Sequence, residues 1–527
     1  MKFKKIAIRT LICLCTISLV ALAIVLFTGC ENNSNLNNLS KYNLSIEFND
    51  EEKSLSCKEK LTYVNETETA LNFVCFHLYP NAFREGATQK VVSLSNETKA
   101  FPNGKSYGSI TIDNVSVMRN TAIYSAMQNT TQPTYSEITE FWKTTSPTEN
   151  TYFIGGEDQN ILYVILKDQL FPDEKTEIEI DFSVILPNIN HRFGYGNNTV
   201  NIANFYPIAC VFSNGDFDKS PYSPNGDPFF SNMATYSVEL SVPSEYVVSN
   251  TGKVVSQSIE NGVKKLTMEA KQVRDFAIVL SKKFKSLSKK TGETEITYYY
   301  FDDSAPEESL EVGVKAVEFF NKTFGEYPYS TLSVVQANFV HGGMEFPNLV
   351  YISSDVKDPL FYKQVIVHEI AHQWWYNLVG SNAFKSGWLD EGLTEYSTAL
   401  FFEEHEEYGI SKDALINNAY SLYSLFVQVY EKVYGSIDTS MDRALNEYES
   451  EQQYTYVAYV KGMLLFDSLR EILGKNQFEK CLQNYFKEYK FQNVTPNNLI
   501  ASFEKTSKRS LESYFNAWIN GEVILLK

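Results

Sequence analysis

Residues 41 to 290 are dominated by short apolar runs and by stretches in which apolar and polar side chains alternate. Such alternation places every second side chain on the same face of a β-strand. Clusters of Gly, Pro, Asn, Asp and Ser separate the runs, which is typical of turns between strands. The segments with this pattern are 44–48, 60–64, 70–79, 161–166, 177–186 and 236–243. The pattern predicts a large N-terminal antiparallel β domain over residues 41–290.

The pattern changes after about residue 290. Residues 306–325 have helical periodicity, with Pro306 near the start and Gly325 at the end, as is typical of helix termini. Two strand-like runs follow at 332–339 and 348–354, and the rest of the chain is mainly helical in pattern. We therefore expect a multidomain protein, β followed by α/β. Its second domain, residues 291–527, is expected to be mainly helical with a small mixed sheet.

The first 29 residues have the layout of an export signal, with a basic start and an apolar run over residues 11–27. The run ends in LFTGC (26–30), which resembles a bacterial lipobox, so Cys30 is the expected lipidation site. Residues 30–40 are polar and predict a flexible tether. An uncleaved N-terminal transmembrane anchor is the alternative, because the run has about the minimum length that spans a bilayer. Both interpretations predict an extracytoplasmic bacterial protein that is anchored to the cell membrane.

Charge and cysteine content narrow the function classes. The formal net charge is −18, and removal of residues 1–29, with four positive charges and no acids, takes it to −22. This balance argues against a nucleic-acid-binding protein, which would present a basic face. The cysteines of the expected mature chain beyond Cys30 are scattered and offer no CxxC ligand pair. Cys57 and Cys75 flank a turn-rich segment, so the sequence leaves open whether they form a disulfide.

Two histidines in VIVHEIAHQWW (365–375) indicate a metal site. On a helix, His368 and His372 lie on one face one turn apart, so that both imidazoles can bind one zinc ion. Glu369 lies about 60° around the helix from His372. This direction suits a base that acts on metal-bound water better than it suits a ligand. The two histidines alone leave open a helix whose imidazoles are satisfied by carboxylates.

A second predicted helix, GWLDEGLTEYSTALFF (387–402), contains a third ligand candidate. Glu391 follows His372 after 18 residues, which is the spacing of the gluzincin metallopeptidases. WLDEGLTEY and HEIAHQWWYN resemble the two zinc-binding helices of the aminopeptidase N family. The resemblance covers roughly residues 40–525 and is most specific over 315–474. It implies a thermolysin-like catalytic domain in which one Zn²⁺ per chain is bound by His368, His372 and Glu391, with Glu369 as the catalytic base.

The segment GGMEF (342–346) resembles the glycine-x-Met-Glu motif of the same family. In that family the motif forms an edge strand that aligns the substrate backbone, and its glutamate holds the free α-amine. The resemblance therefore implies substrate binding by Gly342, Gly343, Met344 and Glu345. Phe346 stands where relatives commonly have Asn, and the Gln-x-Glu pair that helps to bind the α-amine in many members is not evident.

The segment YVKGMLLFDSLREILG (459–474) resembles the family helix whose leading tyrosine donates a hydrogen bond to the developing oxyanion. This implies a catalytic role for Tyr459. The nearby Tyr454 and Tyr456 leave the register open, and Val460 replaces a glutamate that is usual in the family.

These resemblances imply a zinc metallopeptidase, and an aminopeptidase in particular, which releases N-terminal residues from peptides outside the cell by metal-activated attack of water. Two alternatives remain: a zinc endopeptidase on the same scaffold, and a non-catalytic peptide-binding or scaffold lipoprotein. The resemblance also implies that the large helical C-terminal domain of longer members is absent. The preferred side chain, the physiological peptide and the oligomeric state do not follow from the sequence.

Overall fold

The structure, a computed structural model, describes residues 38–124 and 132–525. The predicted signal segment, Cys30 and most of the predicted tether lie outside the described residues. Within the described ranges, no helix combines the length and the apolar character needed to cross a bilayer.

The first half of the described chain folds mainly into strands, as the alternating pattern predicts. These strands are β1 (Ser40–Asn49), β2 (Ser54–Val64), β3 (Leu71–His77), β4 (Ser109–Val117), β5 (Asn120–Thr121), β6 (Ile123–Tyr124), β7 (Thr151–Gly155), β8 (Ile161–Leu170), β9 (Lys175–Ile185), β10 (Phe193–Tyr195), β11 (Val200–Ile202), β12 (Ile208–Ala209), β13 (Phe212–Ser213), β14 (Asp216–Phe217), β15 (Ala234–Pro243), β16 (Val247–Asn250), β17 (Lys253–Glu260), β18 (Val263–Val273) and β19 (Ile278–Ser281).

Most of these strands belong to three sheets. The largest has eight strands in the order β17-β18-β15-β1-β2-β9-β4-β5, and its pairs are antiparallel except for β1 with β15. Along β1 the side chains of Tyr42, Leu44, Ile46 and Phe48 are buried while their neighbours are not, so this sheet has one face in the core. A five-stranded sheet (β12-β3-β8-β7-β6) and a four-stranded sheet (β10-β11-β19-β16) complete the N-terminal β domain.

In the described part of the strand-rich half, two helices interrupt the strands, and its pattern did not predict them. Helix α1 (Glu97–Ala100) is one turn long, and α2 (Tyr135–Thr145) begins at a capping box formed by Thr134 and Glu137. The Thr134 side chain accepts a hydrogen bond from the Glu137 backbone, and the Glu137 carboxylate accepts one in return. The helix is marked by its cap rather than by a long apolar stripe, because Ile138 is its only buried residue among those described.

A mixed five-stranded sheet joins the β domain to the helical part. Its order is β20-β21-β22-β24-β23. The strands are β20 (Lys285–Thr291), β21 (Thr294–Tyr300), β22 (Thr331–Ala337), β23 (Gly343–Met344) and β24 (Leu349–Ser353), and a short pair β25 (Val379–Ser381) and β26 (Gln492–Val494) lies elsewhere in the helical part. Side chains of β22 enter different cores: Val335 and Ala337 pack with the β domain, whereas Leu332 and Val334 pack with the helices.

The remaining elements are mainly helical. They are α3 (Pro306–Thr323), α4 (Pro359–Ala371), α5 (Ala383–Ser386), α6 (Trp388–Glu404), α7 (Lys412–Tyr434), α8 (Glu451–Tyr454), α9 (Lys461–Leu473), α10 (Lys475–Tyr489), α11 (Pro496–Ser507) and α12 (Glu512–Ile519), with π-helical turns at Gln373–Leu378 and Thr455–Val460. The fold class is thus the predicted one, a multi-sheet β domain followed by a mainly helical domain with a small mixed sheet. Ser40–Lys527 forms one compact unit, and the domain boundary near residue 290 stays a prediction.

The four cysteines of the described chain are separate buried thiols. Cys57 lies on β2 and Cys75 on β3, in different sheets, and both are free, as are Cys210 and Cys481. The structure therefore contains no disulfide between Cys57 and Cys75.

Candidate active site

Helix α4 carries the two histidines of the predicted metal site. The helix begins with Pro359 after the cap residue Asp358, whose carboxylate accepts a hydrogen bond from the backbone N–H of Phe361 at 2.8 Å. His368 lies in its last turn and His372 caps its C-terminus, where the backbone changes to the π-helical turn 373–378. Both imidazoles reach the same cleft, which has a cavity volume of about 190 Å³.

The three predicted zinc ligands converge on one point. The Nε2 atoms of His368 and His372 lie 3.1 Å apart, and the Oε2 atom of Glu391 lies 3.4 Å from the first and 3.2 Å from the second. Ligands held about 2.0–2.1 Å from a tetrahedral zinc ion are separated from each other by about 3.3 Å. The donor set and its spacing therefore fit one zinc ion, with one coordination position left for another molecule.

The other imidazole nitrogens have partners that orient the rings. His372 Nδ1 lies 3.1 Å from the backbone oxygen of Trp375 and 3.1 Å from Oγ1 of Thr394. His368 Nδ1 faces the carboxylate of Glu395 at 3.5 Å. A hydrogen on each Nδ1 leaves the lone pair of each Nε2 directed into the cleft, which is the tautomer that a metal ligand needs.

Glu369 lies beside this cluster rather than in it, as its position on the helix predicts. Its side chain is buried and lines the cleft, and its Oε2 atom has no hydrogen-bond partner among the described residues. Burial and then the neighbouring Glu345 carboxylate raise the pKa of Glu369 well above its ordinary value. Gly343 is in contact with this carboxylate, because a Cβ atom at that position would overlap Glu369 Oε1. A glycine is therefore required where the strand passes the Glu369 carboxylate.

The segment GGMEF follows the path that its resemblance implies. Gly343–Met344 forms β23, an edge strand of the mixed sheet that pairs antiparallel with β24, and Gly342 also lines the cleft. Glu345 follows β23 directly and is 4% exposed, with its side chain at the cleft. Burial raises the pKa of Glu345 to about 8, and the Asp227 carboxylate acts in the same direction.

Gln373 fixes this strand against the zinc-binding helix. Its Oε1 atom accepts a hydrogen bond from the backbone N–H of Asn348 at 2.8 Å, and its Nε2 atom donates to the backbone oxygen of Phe346 at 3.2 Å. Phe346 is fully buried against Tyr351 and is not part of the cleft lining. The residue after the second histidine thus positions Glu345, a role that the sequence did not reveal.

The three candidate tyrosines have different surroundings. Tyr459 donates a hydrogen bond to Oε1 of Glu391 at 2.5 Å, and its ring lies parallel to that of His368. Tyr454 also lines the cleft and packs edge-on against Tyr459, whereas Tyr456 stacks on Phe426 outside the cleft lining. The geometry favours Tyr459 as the tyrosine nearest the metal ligands, and its catalytic role stays a prediction.

Two further charged residues reach the cleft from the β domain. Arg192 is buried and Asp227 is partly buried, and the two side chains form an ion pair that lines the cavity containing the histidines. No motif marks them, because they lie at sites far apart in sequence that only the folded chain brings to Glu345. The turn-rich composition of residues 213–228 was the one visible signal at Asp227.

The chain has a β domain followed by a helical domain. Two histidines and a glutamate are placed for one zinc ion, and a second glutamate lies beside them. This combination defines the gluzincin class of metallopeptidases. Residues 308–518 match the family model described as "Peptidase family M1 domain". Residues 308–518 are therefore a peptidase family M1 domain, and the predicted resemblance to the aminopeptidase N-like gluzincins is confirmed.

Curated relatives share the domain at low identity. The chain is 24% identical over 380 residues to human endoplasmic reticulum aminopeptidase 2, which covers 67% of this chain and 38% of the relative. It is 25% identical over 306 residues to aminopeptidase M1-D of Oryza sativa subsp. japonica, covering 54% and 34% respectively. The chain thus spans less than two-fifths of the length of these relatives.

Solved structures confirm the fold. The M1 zinc metallopeptidase from Deinococcus radiodurans superposes with a TM-score of 0.61 at 16% identity, covering 93% of this chain and 95% of that one. A mutant of a two-domain M1 zinc metallopeptidase bound to L-arginine gives the same TM-score at 15% identity, covering 93% and 96%. These similarities establish the two-domain architecture.

Proposed function

We propose that the protein is a zinc aminopeptidase that releases N-terminal residues from peptides. The observation that carries the proposal is the buried Glu345 carboxylate, which lines the same cleft as the three candidate zinc ligands. The hydrogen bonds of Gln373 to Phe346 and Asn348 hold the backbone that directly follows Glu345. A fixed carboxylate at a set distance from the reaction centre favours a substrate whose free α-amine lies there. The names of the curated relatives, which are aminopeptidases, agree with this proposal.

His368, His372 and Glu391 would hold the zinc ion, which supplies Lewis-acid polarisation of the scissile carbonyl when bound. Glu369 takes a proton from the attacking water and then delivers it to the leaving amine. The hydroxyl of Tyr459, which donates to Glu391 in this structure, would turn its hydrogen to the oxyanion that develops and lower the barrier by about 3 kcal/mol.

The proposal is tested with Glu369→Gln, which removes the base while its length and hydrogen-bonding shape are kept. Hydrolysis of aminoacyl reporter substrates is expected to fall by about 10²–10⁴-fold, the usual contribution of a positioned acid or base. Zinc content, measured on the purified protein, is expected to stay at one ion per chain. Glu406→Gln changes an exposed carboxylate just after the end of α6 and serves as the control. Full hydrolysis by the zinc-loaded Glu369 variant would contradict the mechanism.

A second measurement separates exopeptidase from endopeptidase action. Peptides with a free N-terminus are expected to be cleaved much faster than the same peptides after N-acetylation, because acetylation removes the charge that Glu345 would bind. Equal rates for the two forms would favour an endopeptidase.

We also propose that the mature protein is lipid-anchored at Cys30 on the outer side of the cell membrane. The basic start, the apolar run and LFTGC support this proposal. Metabolic labelling with a fatty acid is expected to mark the wild-type chain and not Cys30→Ala. Equal labelling of both chains would refute lipidation at this residue, and a fractionation that leaves the unlabelled wild-type chain in the membrane would favour the transmembrane alternative.

A further inference from the structure

The Asp227 carboxylate meets that of Glu345 at the end of the cleft beside the zinc ligands. Asp227 lies in the segment between β14 and β15, so it comes from the β domain, whereas Glu345 follows β23 of the mixed sheet. One oxygen from each of Asp227, Glu345 and Glu391 lies within 4.8 Å of the others. Two ~2.8 Å hydrogen bonds from one tetrahedral ammonium nitrogen reach oxygens about 4.6 Å apart. The spacing therefore suits an ammonium group held between two carboxylates.

The three carboxylates are not equally available. Glu391 has one oxygen among the zinc ligands, and its other oxygen accepts the hydrogen bond from Tyr459. Arg192 donates from Nη1 to Oδ1 of Asp227 and leaves Oδ2 without a donor among the described residues. Glu345 is 4% exposed and no described residue donates a hydrogen bond to its carboxylate. A buried carboxylate that lines a cavity without a donor indicates a ligand that supplies one.

Arg192 positions the Asp227 carboxylate and leaves one of its oxygens available to a ligand. The guanidinium is buried, lies over the Phe229 ring at 4.9 Å and contacts one oxygen only. Asp227, Glu345 and Glu369 all line this cleft, so carboxyl groups outnumber the single arginine. Their oxygens can accept hydrogen bonds, which favours an ammonium group of the substrate there.

We propose that Asp227 is a second recognition residue for the substrate α-ammonium group, which it holds together with Glu345. The inference rests on the proposed aminopeptidase function and names the residue that takes part in amine recognition in a chain without an evident Gln-x-Glu pair. It makes amine recognition a joint property of the two domains, because the two carboxylates come from different ones.

The test uses Asp227→Asn in the Glu369→Gln background, where peptide binds without turnover. Calorimetry with a zinc-loaded protein compares a tripeptide with its N-acetylated form. We expect Asp227→Asn to weaken binding of the free tripeptide at least tenfold and to leave binding of the acetylated form within about twofold. In the otherwise wild-type enzyme, the same substitution is expected to raise KM more than it lowers kcat. Asp216→Asn, the same change on the β13–β14 hairpin outside the cleft lining, is the matched control.

Each outcome has a separate meaning. Unchanged binding of the free tripeptide by the Asp227 variant would overturn the inference while the proposed function stands. Equal binding of the free and acetylated peptides by the Glu369→Gln protein itself would refute the proposed function and this assignment together. Two metal ions per wild-type chain, with one lost in Asp227→Asn, would show a second metal site in place of an ammonium site.

A second variant guards against misfolding. Asp227→Glu keeps the charge and the partner for Arg192 but moves the carboxylate by one methylene. We expect it to bind the free tripeptide with an affinity between those of the parent protein and Asp227→Asn. A Glu variant that binds no better than the Asn variant, although its melting temperature equals that of the parent, would contradict the role assigned to the charge.

Discussion

Two glycines lie in close contact where α6, which carries Glu391, packs against α9, which begins just after Tyr459. Gly392 follows Glu391 on α6, and Gly462 lies on α9 three residues after Tyr459. A Cβ atom at Gly392 would lie 2.7 Å from the Cα atom and 3.0 Å from the carbonyl carbon of Gly462. Carbon atoms in ordinary contact are about 3.5–4.0 Å apart, so Gly392→Ala would force the helices apart by about 1 Å.

That displacement acts directly on the site. The hydrogen bond from Tyr459 to Glu391 measures 2.5 Å and joins α6 to the π-helical turn that leads into α9, next to this contact. A misplacement of about 1 Å in a catalytic group can cost about 10²-fold in rate. Overpacking costs about 1–3 kcal/mol of stability, and the better helix propensity of Ala offsets about 1 kcal/mol of this. The Gly392→Ala protein is therefore expected to fold, while its kcat/KM falls by about 10²-fold.

The assay is hydrolysis of an aminoacyl reporter by zinc-loaded protein, with metal content and Tm measured on the same samples. Gly313→Ala is the matched control, because Gly313 is also inside a helix but its Cβ would meet no atom closer than 3.4 Å. Gly313→Ala is expected to keep activity within about twofold. If Gly392→Ala did the same, the helix contact would not set the geometry of the site, and the reasoning would be wrong.

Three further predictions concern the metal, Tyr459 and the cleft-lining residue Glu451. Chelation should abolish hydrolysis and one equivalent of zinc should restore it; hydrolysis by metal-free protein would refute the zinc site. Tyr459→Phe should lower kcat by about 10²–10³-fold with KM little changed, as for loss of one oxyanion donor; a change confined to KM would contradict this role. Glu451 accepts hydrogen bonds from Ser93 and Asn96 and pairs with His341 at 3.1 Å. Glu451→Gln should therefore lower the free energy of unfolding by about 1–3 kcal/mol in denaturant titration, and an unchanged midpoint would show that these contacts contribute little.

Local patterns predicted most of the elements, and they marked the three candidate zinc ligands that the structure brings together, because both depend on spacing along one segment. The run at 44–48 lies within β1, and the predicted helix 306–325 corresponds to α3. The zinc cluster followed from a four-residue helical spacing and one fixed interval to Glu391. Each of these elements and intervals lies within one continuous segment, so the sequence alone is enough to predict it.

The parts of the site that depend on distant segments were not predictable in this way. Arg192, Asp227 and Glu345 meet although more than 100 residues separate Asp227 from Glu345, and no periodicity describes such a meeting. The role of Gln373 was not predicted either. A buried glutamine has no distinctive spacing in the sequence, and this one acts through backbone atoms of a distant segment. Helix α2 was missed because its start is set by a capping box and its apolar face is short.

The side chain of Gln373 joins the metal-binding helix to the edge strand through two backbone contacts, so the span between Glu345 and the zinc ligands is set by the scaffold rather than by the cleft lining. In an aminopeptidase, the distance from the amine-binding carboxylate to the zinc ligands determines how many residues are released at each cut. Substitutions around the cleft would then change which N-terminal residue is released but leave the number of residues removed at each cut the same. The scaffold would then set how many residues are removed at each cut, and the cleft lining would set which N-terminal residue is accepted.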